Sequence, residues 1–353
     1  MKKPLKLLFP AMLVIIISMI ITSSAMAMDF SVVPIMPENQ RVGTSSFFDL
    51  IVASGQSQVI EIDIRNMSND DIVVLVETIT ASTNRNGIIN YSSEVEADES
   101  LEHPFSELAT LPGRYFEIEA GQTKRVPISL KIPNEPISGI ILGSVRVLRE
   151  VTQAERDAGG AVVNQFASVT AVRIASDISQ DNIPADFALG EVEVDIINSR
   201  ASIIANVRNT QPKLIKNAIA TAQITHLDTD EIVFEHSQNN LEFAPNSAFP
   251  FSFIDNVGRG ISAGDYRVLI TVNYEGETWE FEHLFTIEPQ EADAINEAAI
   301  IIDEPQVPLS GLANLLNIPT WAFMGIIVIL LLIFLAIIIL IVVLSRKKPI
   351  LPK

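Results

Sequence analysis

The chain has 353 residues, enough for two domains with separate cores, and its 43 acidic against 24 basic side chains leave a net charge of −19. That balance excludes nucleic acid and other polyanions as charge-driven partners. Cysteine is absent, which excludes a disulfide scaffold and leaves apolar burial to hold the fold.

The N-terminus reads as an export signal. Lys2, Lys3 and Lys6 precede an apolar run from Leu7 to Ile21, and Ala25-Met26-Ala27 is a small-x-small cleavage site. Residues 1–27 are therefore expected to be a signal peptide, with the mature chain starting at Met28. An exported chain without disulfides fits a bacterium with one membrane and a thick wall.

A two-residue period dominates the next 260 or so residues, as expected for strands with one wet face. In Val59 to Arg65, Ile60, Ile62 and Ile64 alternate with Glu61, Asp63 and Arg65. The polar cluster Asn66 to Asp70 turns the chain into a second strand, Ile72 to Thr80. Thr83-Asn84-Arg85-Asn86-Gly87 reads as a tight hairpin turn with Asn86-Gly87 at its positive-φ positions. Pro104 to Leu108 and Thr152 to Ala158 are short helical insertions. Near residue 280, Trp279, Phe281, His283, Phe285 and Ile287 share one strand face, opposite Glu280, Glu282 and Glu288.

The strand plan occurs twice. Ile60 to Asn66, a polar turn and a further apolar strand recur as Ile203 to Asn209, then Thr210-Gln211-Pro212-Lys213 and Ile215 to Ile224. Ala120-Gly121-Gln122, Val126 to Ile132, Ser138-Gly139 and Ile140 to Leu148 have their counterparts in Ala244-Pro245-Asn246, Phe249 to Phe253, Ala263-Gly264 and Tyr266 to Val272. Short strands with turns about every ten residues predict an all-β chain of two tandem immunoglobulin-like sandwiches. Their expected ranges are 28–179 and 184–288, each with its own core, joined by a hinge at 180–184 that carries few contacts.

No enzyme, cofactor or metal site is legible. His103, His226, His236 and His283 have neither metal-ligand nor nucleophile–base spacing, and His283 is expected to be a core or half-buried histidine. Asp228-Thr229-Asp230-Glu231 lacks the glycine and the distal glutamate of a calcium loop and reads as a hairpin tip. Asp70-Asp71 and Glu94 to Glu102 read as solvated loops rather than acid–base pairs.

Residues 289–320 read as a stalk. Glu291 to Ile301 is expected to form a brief helix, and Pro305, Pro308 and Pro319 break any longer one. From Trp321 to Leu344 the chain runs 24 residues without a charge. As a helix this would be about 36 Å long, enough to span a membrane. Arg346, Lys347 and Lys348 mark residues 345–353 as a cytoplasmic tail. Setting aside the three lysines before residue 28 and the four cations after residue 344, residues 28–320 carry −26. The expectation is a single-pass cell-membrane protein whose ectodomain lies within the cell wall.

Short motifs run through nearly the whole chain in a combination that resembles one family. The segment Phe30 to Gln40, Phe47-Phe48-Asp49-Leu50, Ser54-Gly55-Gln56, Thr83 to Gly87, Ala120 to Thr123, Val126-Pro127-Ile128 and Gly139 to Gly143 are similar to the opening domain of WxL-interacting proteins, membrane-anchored surface proteins of Gram-positive bacteria. Asn198-Ser199-Arg200, Ala205 to Asn209, Ala244 to Ser247 and Ala263 to Tyr266 look like their second domain. The resemblance implies a non-catalytic surface scaffold or adhesion protein. Its first domain would associate with peptidoglycan and WxL-domain surface proteins, and its second with host extracellular proteins. With that resemblance, the polar segments of the first sandwich become candidate contacts: Pro37, Asn39 and Gln40, and Asn84, Arg85 and Asn86, whose amides offer donors and acceptors. Turn chemistry is the competing account of the same residues. The alternative function is a membrane-tethered chaperone that holds exported clients by adding a strand to a sheet edge.

Overall fold

Alternation along a strand dictates which side chains meet, and the isoleucines of residues 60–64 show the consequence. Ile60, Ile62 and Ile64 are buried while Arg65 is exposed. The computed structural model describes residues 29–93, 95–152, 156–157, 165–176, 182–256 and 258–299. The expected signal peptide, membrane span, tail and distal stalk lie outside the described residues, as does most of the expected helix at 152–158. Among the described residues no helix is long and apolar enough to cross a membrane.

The protein is all-β, as the periodicity predicts. Its first eleven strands are β1 (Phe30–Ile35), β2 (Phe48–Ile51), β3 (Ser57–Asn66), β4 (Ile72–Thr80), β5 (Ser82–Thr83), β6 (Ile89–Asn90), β7 (Ala109–Thr110), β8 (Tyr115–Ile118), β9 (Thr123–Lys131), β10 (Ile140–Arg149) and β11 (Ala167–Ala175). They form one sheet in the order β1-β3-β9-β7, a second in the order β2-β11-β10-β4-β8, and the small hairpin β5-β6. All these pairs are antiparallel except β11 with β2. The inward faces, carrying Ile62 and Ile128 on one sheet and Val76, Val145 and Val172 on the other, share one core. The short helix Phe105–Leu108 seals one end of it. Phe105 is fully buried against Gly143, where even a methyl group would strike the ring.

Seven strands follow: β12 (Phe187–Ile197), β13 (Arg200–Asn209), β14 (Ile215–His226), β15 (Glu231–Phe243), β16 (Ser247–Ile254), β17 (Gly264–Tyr274) and β18 (Glu277–Ile287). Their sheets, β12-β13-β16 and β15-β14-β17-β18, enclose a core rich in aromatics. Phe187 meets Phe243 and Trp279 edge-on at 5.2 and 5.0 Å, and Phe243 meets Phe249 at 5.6 Å. Such contacts add to the burial of area itself. The helix Pro289–Ala298 starts with proline near its first position and packs onto this core through Ala292. Asn296 clamps it by accepting from the Ile261 N–H and donating to the Ile261 carbonyl, each at 2.8 Å. The proximal part of the expected stalk is therefore packed on the second sandwich rather than free.

Two local expectations change and a third holds. In the 83–87 turn only Gly87 takes a left-handed φ, 65°, and Asn86 does not. His283 is exposed, because β18 is an edge strand that leaves much of its length in water. The hairpin tip at 228–231 forms as expected, with Asp230 at φ 53°, and no group of potential metal ligands occurs among the described residues.

The sequence repeat is a repeat of one corner. Asn66 ends β3 and is fully buried. Its side-chain oxygen accepts from the Ser68 N–H at 2.9 Å, and its amide donates to the Asp70 and Ile118 carbonyls at 2.8 and 3.0 Å. Asn209 ends β13 and does the same, accepting from Gln211 N–H at 3.2 Å and donating to the Lys213 and Ala244 carbonyls at 2.8 and 2.9 Å. Each asparagine stitches the turn after its strand to the end of a strand of the facing layer, β8 or β15, using backbone groups that burial would otherwise leave unpaired. Replacing Asn66 or Asn209 by Ala leaves buried carbonyls without donors. We expect each change to cost about 2–3 kcal/mol in urea unfolding, against less than about 0.5 kcal/mol for the exposed Asn69→Ala.

Candidate functional site

Most polar groups of the sequence-nominated residues are committed within the fold. The Pro37 carbonyl accepts from the Gln40 N–H at 3.1 Å, closing a turn. The Asn39 amide donates to the Ile51 carbonyl at 2.8 Å, while Gln40 donates to Thr44 Oγ1 and the Phe47 carbonyl and accepts from the Asp49 N–H at 3.0 Å. These bonds pin the loop before β2. Asn84 caps its own turn, accepting from the Asn86 N–H at 2.9 Å. Arg85 and Asn86 are exposed. The two groups do not converge on one surface through hydrogen bonds: the first serves β2, and the second reaches β15.

The 82–90 hairpin is the seat of the second sandwich. Gln238 donates to the Asn86 carbonyl at 2.7 Å and the Glu242 N–H to the Gly87 carbonyl at 2.8 Å. Gly87 is pressed so closely against Leu241 that a side chain there would clash, and its positive φ already favours glycine. Thr83 and Ser247 share a buried hydroxyl contact at 2.7 Å, and Thr83 Oγ1 accepts from the Ala244 N–H at 3.0 Å. Ala81, Ile140, Leu142 and Ala244 add a third, smaller core that spans the junction. The hinge expected to carry few contacts is thus accompanied by a built interface.

One ion pair anchors that interface. Arg208 of β13 forms a fork with Asp98, Nε to Oδ2 at 2.7 Å and Nη2 to Oδ1 at 2.8 Å, and reaches Glu99 through Nη1 at 2.6 Å. Asp98 lies in the loop expected to be solvated, yet its side chain is 4% exposed. Burial by itself would raise its carboxyl, but hydrogen bonds from Arg208 and from the side chain and backbone of Ser100 outweigh burial and hold it below the ordinary carboxylate range.

Beside the junction lies a cleft of about 820 Å³ with one wall from each sandwich. Tyr91 and Arg173 line it from the first, and Lys213, Lys216 and Tyr274 from the second. Burial, with Glu242 nearby, pushes the Tyr91 hydroxyl up to about 12, so it stays a neutral donor at physiological pH. Sequence reasoning missed this cleft. Its one legible trace is the pair Lys213 and Lys216, two of only four lysines between residues 28 and 320.

The profile of the WxL Interacting Protein peptidoglycan binding domain matches residues 30–149, and that of the WxL Interacting Protein host binding domain matches residues 157–297. Strand β11 falls inside the second match but completes a sheet of the first sandwich. No curated protein matches significantly. Among solved structures, a chain of the chaperone–tip adhesin complex of CFA/I fimbriae biogenesis is 13% identical, with 74% of this chain and 100% of that one covered and a TM-score of 0.28. The YadV chaperone is 10% identical over 73% of this chain and 100% of its own, with a TM-score of 0.29. The class 5 fimbriae chaperone CfaA is 14% identical over 74% and 99%, with a TM-score of 0.27. Superpositions at this level carry no argument about function.

Breaking a buried pair strands its partner, so Arg208→Met is expected to destabilise the protein by about 3 kcal/mol at neutral pH in urea unfolding. The pH dependence has a definite sign. The folded Asp98 carboxyl titrates below its unfolded value of about 4, so its contribution is complete above that value and is lost as pH falls through the lowered folded value. In Arg208→Met only the Ser100 hydrogen bonds still oppose burial, and acid unfolding should begin at a higher pH than in the parent.

Proposed function

Because the chain belongs to the WxL-interacting protein family, with both its peptidoglycan binding and its host binding domains matched, we propose that it is a non-catalytic scaffold and adhesion protein of a Gram-positive cell surface. The first sandwich takes peptidoglycan and WxL-type surface proteins, and the second takes a host ligand. Both family domains are binding domains by name, and the tandem match is the observation that carries this proposal. The strand count and sheet pairing of each sandwich favour an immunoglobulin-like class.

In this proposal residues 1–27 are removed on export, residues 321–344 anchor the chain, and the −26 ectodomain lies within the wall. The junction between the sandwiches supports a scaffold that holds two ligand surfaces in one fixed arrangement. Of the nominated contacts, Arg85 and the Asn86 side chain combine exposure with uncommitted polar groups. Asn39, Gln40 and Asn84 act by shaping their loops.

Two measurements check this. The full-length chain should retain purified cell walls or a WxL-domain protein in co-sedimentation, and Arg85→Ala with Asn86→Ala should weaken capture about tenfold with an unchanged melting temperature. A parallel fall in melting temperature would show that these residues only build the turn, and no capture by the parent would overturn the ligand assignment. External protease on wall-stripped cells should remove the sandwiches and leave a fragment containing residues 321–353. Full protection of the sandwiches would overturn the topology.

A further inference from the structure

The cleft between the sandwiches gathers positive charge on a molecule that has little. Arg173 enters it from β11, Lys213 from the turn before β14 and Lys216 from β14 itself, and these three cations outnumber Glu275, the one carboxylate of the same lining. Their carboxylate neighbours are shared or distant. Asp49 divides itself between Arg173 at 3.2 Å and Arg41 at 3.6 Å. Glu275, itself exposed, lies 3.8 Å from Lys213 Nζ, and Glu242 lies 4.0 Å from Lys216 Nζ. A charge-assisted N–H to carboxylate bond closes to about 2.7–2.9 Å, so these lysine contacts are loose.

Lys213 matters most because it is only 7% exposed. Its ammonium has the Tyr274 ring at 5.5 Å and the distant Glu275, with no hydrogen-bond acceptor among the described residues. With its side chain 9% exposed and one loose carboxylate neighbour, the ammonium gains from an anion that enters the cleft.

The cleft also continues a free sheet edge. Strand β2 pairs only with Val172 to Ala175 of β11, so residues 167–171 have no strand on that side among the described residues. Ala171, at the end of this edge, lines the cleft. Such an edge offers backbone donors and acceptors to an extended chain. The −26 of residues 28–320 repels a polyanion as a whole, whereas one or two carboxylates feel chiefly the cations within a Debye length of about 8 Å.

We infer that the cleft binds a carboxylate of an extended partner polypeptide, with Lys213, Lys216 and Arg173 as its cationic contacts and the open edge of β11 as the track for the adjoining backbone. This goes beyond the family reading and requires neither peptidoglycan nor a WxL protein.

The test measures fluorescence anisotropy on the purified full-length chain with three labelled hexapeptides. One alternates valine with glutamate and is capped at both ends, the second replaces glutamate by glutamine, and the third is the glutamine peptide with a free C-terminal carboxylate. We expect a carboxylate peptide to bind about tenfold more tightly than the capped glutamine peptide, with the preference shrinking as salt rises. The second and third peptides separate side-chain from terminal carboxylate. Lys213→Gln should abolish the preference and Lys216→Gln reduce it about threefold. Should Lys213→Gln fail to fold, Lys216→Glu decides, since that side chain is 57% exposed. Equal binding of all three peptides, binding of none of them, or a preference that survives these substitutions would overturn the inference. No wall material or WxL protein enters the peptide comparison, so its failure leaves the family proposal standing.

Discussion

The fork between Arg208 and Asp98 joins residues 110 positions apart, and it is the buried charged anchor of the junction between the two sandwiches. A carboxylate that is 4% exposed and a guanidinium that is 18% exposed cannot be left singly in that setting without large cost. The same junction holds the Thr83–Ser247 contact, the packing of Gly87 against Leu241 and the cleft lined by Tyr91, Arg173 and Lys213. Without the pair the sandwiches keep their cores and the junction keeps its hydroxyl contact and small apolar core, but Asp98 is left buried without its cation.

That arrangement bears on binding. A surface that repels polyanions limits nonspecific adhesion to them. Specific contact then depends on local departures from the average charge. The cleft is one such departure, with two of the few lysines of residues 28–320 and Arg173 converging where the sandwiches meet.

The repeated asparagine corner shows how one local solution serves two different cores. Asn66 and Asn209 occupy equivalent strand ends and bond equivalent carbonyls, yet the first core is mainly aliphatic and the second is richer in aromatics. The corner tolerates this because it spends only backbone groups and one amide. Its neighbours diverge instead: the turn after Asn209 delivers Lys213 to the cleft, and the turn after Asn66 faces water.

By itself the sequence determined the all-β class, the strands from Val59 onward and the doubled plan, because two-residue periodicity and turn residues act over a few neighbouring positions, and its short motifs carried the resemblance to the family. Tertiary structure alone decided what lies far apart in the chain. Asp98 looked like part of a solvated acidic loop, and only the approach of Arg208 made it a buried partner. Asn84 to Gly87 looked like an exposed recognition turn, and only the packing of Leu241 and Gln238 revealed it as a seat for the second sandwich. His283 followed the period of its aromatic neighbours, but an edge strand has no further sheet to cover it. The cleft was illegible for the same reason, since Arg173 and Lys213 lie on different sandwiches and acquire a shared field only when the junction brings their walls together.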